Sequence, residues 1–214
     1  MSQRQSNTKA VQMRKRLAQE AAQIMLDSGS RDFFAAKKKA AEHLGAIDTH
    51  NMPSNTEIEG ALMAYQRIFR AKSQPEALLR LRKAALKAMK FFEDYQPRLV
   101  GSVLSGTADV HSTVVLHVFA NAIEEIDMML LRYQVPYEVF EKRVRYGADN
   151  IQNKAAYSFI ANDTPIDIVV FLNDGPHHAP ISPVDGRPMQ RADYARVEAL
   201  VNQSNVEDVL ANNG

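Results

Sequence analysis

The apolar residues of this 214-residue chain change their period near Gln96-Pro97, and that change restricts the fold more than any single motif does. Upstream, Val11, Leu17, Ala18, Ala21, Ile24 and Met25 recur at helical spacing, with Gly29 as a stop signal. Ser30 stands where it can cap a second helix carrying Phe33, Phe34, Ala40, Ala41 and Leu44, which Gly45 would stop. Ser54 and Glu57 have capping-box spacing ahead of Ile58, Leu62, Tyr65 and Phe69, and Pro75 opens a longer helix with Leu78, Leu79, Leu86, Met89 and Phe92 near one face. Downstream the pattern shortens: RLV, STVVLHVF, YEVFEKRVRY, KAAYSFIA and IDIVVFL read as strands, with one amphipathic helix from Ile123 to Tyr133 among them. That helix leaves room for a crossover, and the later strands follow closely enough for hairpins. The expectation is an α+β fold with a bundle-like helical region over 1–96 and a mixed sheet with helices on one face over 97–175. A turn-rich loop and a helix from Arg191 to Gln203 complete residues 176–214.

Composition narrows the function classes. Apolar residues make up 45% of the chain, enough for a core, and cysteine is absent, which excludes disulfides, thiolate metal sites and thiol nucleophiles. The N-terminus MSQRQSNTKAVQMRKR has no apolar signal region, and no apolar run reaches membrane-spanning length, so a cytoplasmic protein without a membrane partner is expected. The net charge of +1 conceals a basic first hundred residues, with 18 Lys+Arg against 10 Asp+Glu, and an acidic remainder. A basic half can meet nucleic acid, or it can be a set of solvated helix faces packed near an acidic neighbour.

The candidate chemistry lies at the start of the strand-rich part. Gly101-Ser102 follows the apolar Leu99-Val100 and precedes a stretch able to start a helix, a geometry that aims backbone N–H groups at an anion. Ten residues later comes Thr113-Val114-Val115-Leu116, preceded by Ser112, and a later strand reads Ile166-Asp167-Ile168-Val169-Val170. In this order the residues resemble the nucleotidyltransferase superfamily of the DNA polymerase β type. Its pattern is an apolar residue, Gly, Gly or Ser, a spacer, then Asp-apolar-Asp/Glu, with a third acid on a later strand. The wider stretches PRLVGSVLSGTADVHS and SPVDGRPMQRAD look like a bacterial group of nucleotidyltransferase-like proteins that carry a helical N-terminal region.

The resemblance implies nucleotide binding at Gly101 and Ser102 and a metal site built from positions 113, 115 and 167. In the family these three carboxylates hold two divalent ions for phosphoryl-type transfer. Here Thr113 offers one neutral hydroxyl, Val115 offers no ligand, and Asp167 is the one remaining acid of the motif. One carboxylate is a poor holder for two mutually repelling dications, because magnesium requires oxygen ligands and favours charged ones. Asp109, four residues before Thr113, is a possible substitute acid and also an ordinary turn residue; Asp163 has the same two readings. His117 shares a strand face with Val115 and is a candidate donor to phosphate, while His111, six residues earlier, is too distant along an extended strand to share a metal with it. Arg143 and Arg145 alternate onto one strand face with Glu141, beside Lys142, either as a phosphate clamp or as a solvent face. His177-His178 lacks a third ligand nearby, and Arg187 stands between two turns. No Walker loop, dinucleotide fingerprint, zinc motif or Ser-His-Asp arrangement is present.

These residues support three expectations. The first is a catalytically degenerate nucleotidyltransferase-fold protein that binds a nucleotide, a nucleic acid or a protein partner. The second is an active enzyme that uses magnesium on Asp167 with Asp109 and transfers a nucleoside monophosphate. The third is a nucleic-acid-binding protein acting through its basic helical half. Restoring the acids as Thr113→Asp with Val115→Asp is expected to create magnesium binding measurable by calorimetry, and no gain would mean that positions 113 and 115 are not the carboxylate slots.

Overall fold

In the computed structural model of the chain, residues 2–30, 32–47, 51–69, 73–172 and 178–212 are described. The chain divides into two compact units, Met1–Ala71 with Pro183–Asp185, and Lys72–Ser182 with Gly186–Gly214. Among the described residues no helix is long and apolar enough to cross a membrane.

The first unit holds α1 (Ser2–Ser28), α2 (Phe33–His43) and α3 (Asn55–Phe69). Leu17, Ala21 and Met25 stand four residues apart on α1, so they form one ridge. They pack with Ala36 and Ala40 of α2 and with Ile58 and Leu62 of α3. The second helix is capped by Asp32, not by Ser30. The Asp32 Oδ1 accepts the Phe34 and Ala35 N–H groups at 2.9 and 3.0 Å, whereas the Ser30 Oγ accepts the Asp32 N–H itself at 3.2 Å, one step upstream of the helix. A carboxylate is the stronger acceptor for the positive end of a helix.

The expected capping box is present: Glu57 Oε2 accepts the Ser54 N–H at 2.7 Å and Ser54 Oγ accepts the Glu57 N–H at 3.2 Å. The same carboxylate receives the Arg14 guanidinium, Nε at 2.8 Å and Nη2 at 2.7 Å, and so ties α1 to α3. The Arg14 hydrogen bond, aided by the Ser54 N–H, holds the Glu57 carboxyl down at about 2.

The second unit begins with α4 (Ser73–Phe91) and continues through β1 (Arg98–Val100), α5 (Gly101–Ser105), β2 (Val114–Ala120), α6 (Glu124–Arg132), β3 (Glu138–Arg145), β4 (Ile151–Ala161), β5 (Thr164–Leu172) and α7 (Tyr194–Asn212). The boundary expected near residue 96 is therefore not a division between units. Leu81, Ala85 and Met89 of α4 are buried on the sheet with Leu99, Leu116 and Ile168, so α4 belongs to the sheet's core and not to a four-helix bundle. Val197 of α7 and Ala192 before it lie in the same core.

The sheet is mixed, in the order β1-β2-β5-β4-β3. Its central pair, β2 and β5, is parallel and its other pairings are antiparallel, with β3-β4-β5 joined as hairpins. The β4–β5 turn places Asn162 and Asp163 at φ 48° and 60°, the left-handed geometry that two-residue hairpins require and that Asn and Asp tolerate. One face, with Leu116, Val118, Ile168 and Tyr157, is covered by α4, α6 and α7. The other carries a smaller cluster of Phe119, Val144, Ala156, Val169 and Phe171.

Replacing Glu57 by Ala removes the cap and the α1–α3 tie together. The site is exposed and screened, so the expected loss is about 1 kcal/mol, read by urea denaturation followed by circular dichroism. The carboxyl is depressed in the folded state, so its contribution is full above its ordinary range near 4.5 and fades as pH falls toward 2. An unchanged midpoint at neutral pH would show that the tie carries no stability.

Candidate functional site

Strand register assembles the site. Val100 stands across from Val115, Val115 across from Asp167, and Asp167 across from Ser158, one row over four neighbouring strands. Neighbouring strands lie about 4.8 Å apart, so this row spans roughly 14 Å at the end of the sheet where β1 finishes and β2 and β5 begin. Gly101 follows directly after Val100 at φ +73°, a left-handed conformation that a side chain would strain, and the turn releases into the short α5. The Ser102 carbonyl accepts the Gly106, Thr107 and Ala108 N–H groups at 3.0, 3.0 and 3.1 Å and closes the turn after α5. Thr113, half-buried, immediately precedes β2. Gly101, Ser102, Thr113, Val115 and Asp167 thus meet at one sheet end.

Asp109 is held otherwise. It is 3% exposed, and its Oδ1 accepts the His111 N–H and the Ser112 hydroxyl, both at 3.0 Å, while its own N–H donates to Ser112 Oγ at 2.9 Å. These bonds shape the loop between α5 and β2. Among the described residues no three His, Cys, Asp or Glu side chains group as metal ligands. His111 is exposed in the same loop, Asp163 is in the hairpin turn, His178 is exposed, and His177 lies outside the described residues.

The face that bears Asp167 also carries Glu138, which stands across Ser158 in the same row, and farther along the strands it turns basic. Register places Arg98 opposite His117 and Lys142 opposite Lys154, all on the side of Val115 and Asp167. Arg143 and Arg145 alternate to the other side. Arg191 reaches this face from the segment before α7, because Leu99 and Ala192 exchange N–H···O bonds of 2.8 and 2.9 Å and lay that segment along β1. Its guanidinium stacks over Phe119 and Phe171 at 5.2 and 5.0 Å, and the Lys154 ammonium lies over Phe171 at 5.6 Å and Tyr146 at 5.9 Å. Burial lowers the Arg191 pKa, and nearby Arg98 adds to the effect.

His117, 3% exposed, is the centre of this cluster. Its Nδ1 accepts the Arg191 Nε–H at 3.2 Å and its ring packs 4.5 Å from Phe171. Burial, then the charges of Arg191 and Lys142, push its pKa down to about 3. With Nδ1 accepting, the neutral imidazole carries its proton on Nε2. Arg98, Lys154 and Arg191 were not singled out in the sequence. For the first two, the period-two alternation from Val100 and Ser158 carries the signal, whereas Arg191 depends on a loop path that no periodicity encodes.

No protein-family model, no curated protein and no solved structure matches the chain.

Because the folded His117 pKa is depressed, its contribution to stability is complete above about pH 6.5 and declines as pH falls toward 3. The steepest loss is about 1.4 kcal/mol per pH unit for one proton. His117→Gln keeps an acceptor for Arg191 but does not titrate, so the gap between the variant and the parent should shift in the variant's favour between pH 6.5 and 4.5. Parallel stability curves over that range would contradict the burial of a neutral imidazole.

Proposed function

We propose that this chain is a nucleotidyltransferase-like protein with a degenerate metal site that binds nucleotide or nucleic-acid phosphates on its open sheet face and does not transfer them. The observation that carries this reading is the cluster of cations around His117, on the sheet face that also bears Asp167. The neighbour of Asp167 across the parallel ladder is Val115; the cations of that face are Arg98, Lys142, Lys154 and Arg191, and Glu138 on the edge strand is its second acid. With four cations against two acids, such a face attracts a phosphate more than a dication.

Lys142 and Lys154 add a second support. They are direct cross-strand partners, an arrangement that is unfavourable for like charges, and among the described residues neither has an ion-pair partner. A bound polyanion would relieve their repulsion. The buried rings of Phe119 and Phe171 hold the cations in place instead of offering a stacking surface. Transfer by Asp167 with Asp109 is less favoured, because Asp109 would have to leave the loop bonds that engage its carboxylate.

Fluorescence anisotropy with a labelled single-stranded oligonucleotide and with a fluorescent nucleoside triphosphate tests the reading. Lys142→Glu with Lys154→Glu is expected to weaken binding at least tenfold, the affinity of the parent should fall with added salt, and Asp167→Asn should bind as well as the parent or better. Loss of binding in Asp167→Asn, or indifference to the double charge reversal, would overturn it.

A further inference from the structure

A second site lies on the helix-covered side of the second unit, away from Asp167. Leu79 and Phe91 of α4, Val135 after α6, and Phe159 of β4 line a trough of about 820 Å³. Its α4 wall runs from Glu76 to Phe91, fifteen helical steps and so about 22 Å. The rim on that wall carries Arg80, Lys83 and Lys87, all exposed, at the i, i+3, i+7 spacing that puts them on one stripe, and Glu76 is the one acid among the trough's lining residues. The facing rim carries the neutral Gln134 and Asn162, with Thr164 buried beneath.

We infer that this trough is a docking groove for an acidic amphipathic helix of a protein partner. The length of the trough and the charge of its rim select that occupant. An α-helix is about 10–12 Å wide with its side chains, so a segment lying along α4 meets the trough over its length of about 22 Å. A helix of about 15 residues covers the length, its apolar stripe meeting Leu79, Phe91, Val135 and Phe159. Acidic residues one and two turns apart along one edge of that helix would pair with Arg80, Lys83 and Lys87, fixing both register and direction. The groove is separate from the open face in position and in the partner it selects.

The test uses the full chain and two synthetic fluorescein-labelled peptides of about 16 residues. Both have Leu and Ala on one face; one has Glu along one edge, and the other has Lys at the same positions. The acidic peptide is expected to bind at least tenfold more tightly than the basic one. Lys83→Glu with Lys87→Glu should reverse that preference, and binding of the basic peptide by the reversed variant also shows that it folds. Lys142→Glu with Lys154→Glu should leave the acidic peptide's affinity unchanged, which separates this groove from the open face. Equal binding of both peptides, binding of neither, or saturable binding of dodecanoate without peptide binding would overturn the proposal, the last in favour of a small-amphiphile cavity.

Discussion

The parallel pairing of β2 with β5 is the constraint on which the second unit depends. It sets Val114–Ala120 beside Ile166–Leu172 over seven register positions, with Leu116, Val118, Ile168 and Val170 facing the helices. The same alternation turns Val115, His117, Phe119, Asp167, Val169 and Phe171 to the opposite face. A slip of one residue would exchange those two sets, burying Asp167 under α4 and exposing the core. Burial of the helix-facing set therefore fixes where the polar set must stand, and the location of the candidate site follows from core packing.

The open face then solves a problem of charge. An acid at 167 beside neutral 113 and 115 is a weak metal site, and the cations of this face gather farther along the strands, around His117. Arg191 is held by aromatic rings and by His117, whose buried, neutral imidazole accepts from its Nε–H. Neutral His117 lets a guanidinium and the Lys142 ammonium approach the same point without a third positive charge. Part of the face is thus organised around fixed cations, and the proposed phosphate binding rests on that arrangement.

Much of this was legible in the sequence, for reasons that differ by element. The strands and α6 were marked by period-two and period-3.6 apolar patterns, and Gly101, Gly29 and Gly45 do occupy left-handed positions at turns. The placement of α4 was not legible, because an amphipathic helix records that it has a buried face without recording which partner covers it. The cap at Asp32 was missed for a simpler reason: Ser30 and Asp32 are both good caps, and two residues decide between them only through the backbone path. Arg191 reaches the site through the Leu99–Ala192 bridge, a contact between residues 93 positions apart that local patterning does not contain.

The central claim, that phosphate is held by cations and not by a metal on Asp167, has one direct measurement. Calorimetric titration of the full chain with ATP in magnesium and again in EDTA should give dissociation constants within about twofold of each other. Binding seen in magnesium and abolished by EDTA would contradict the account and restore a working metal site.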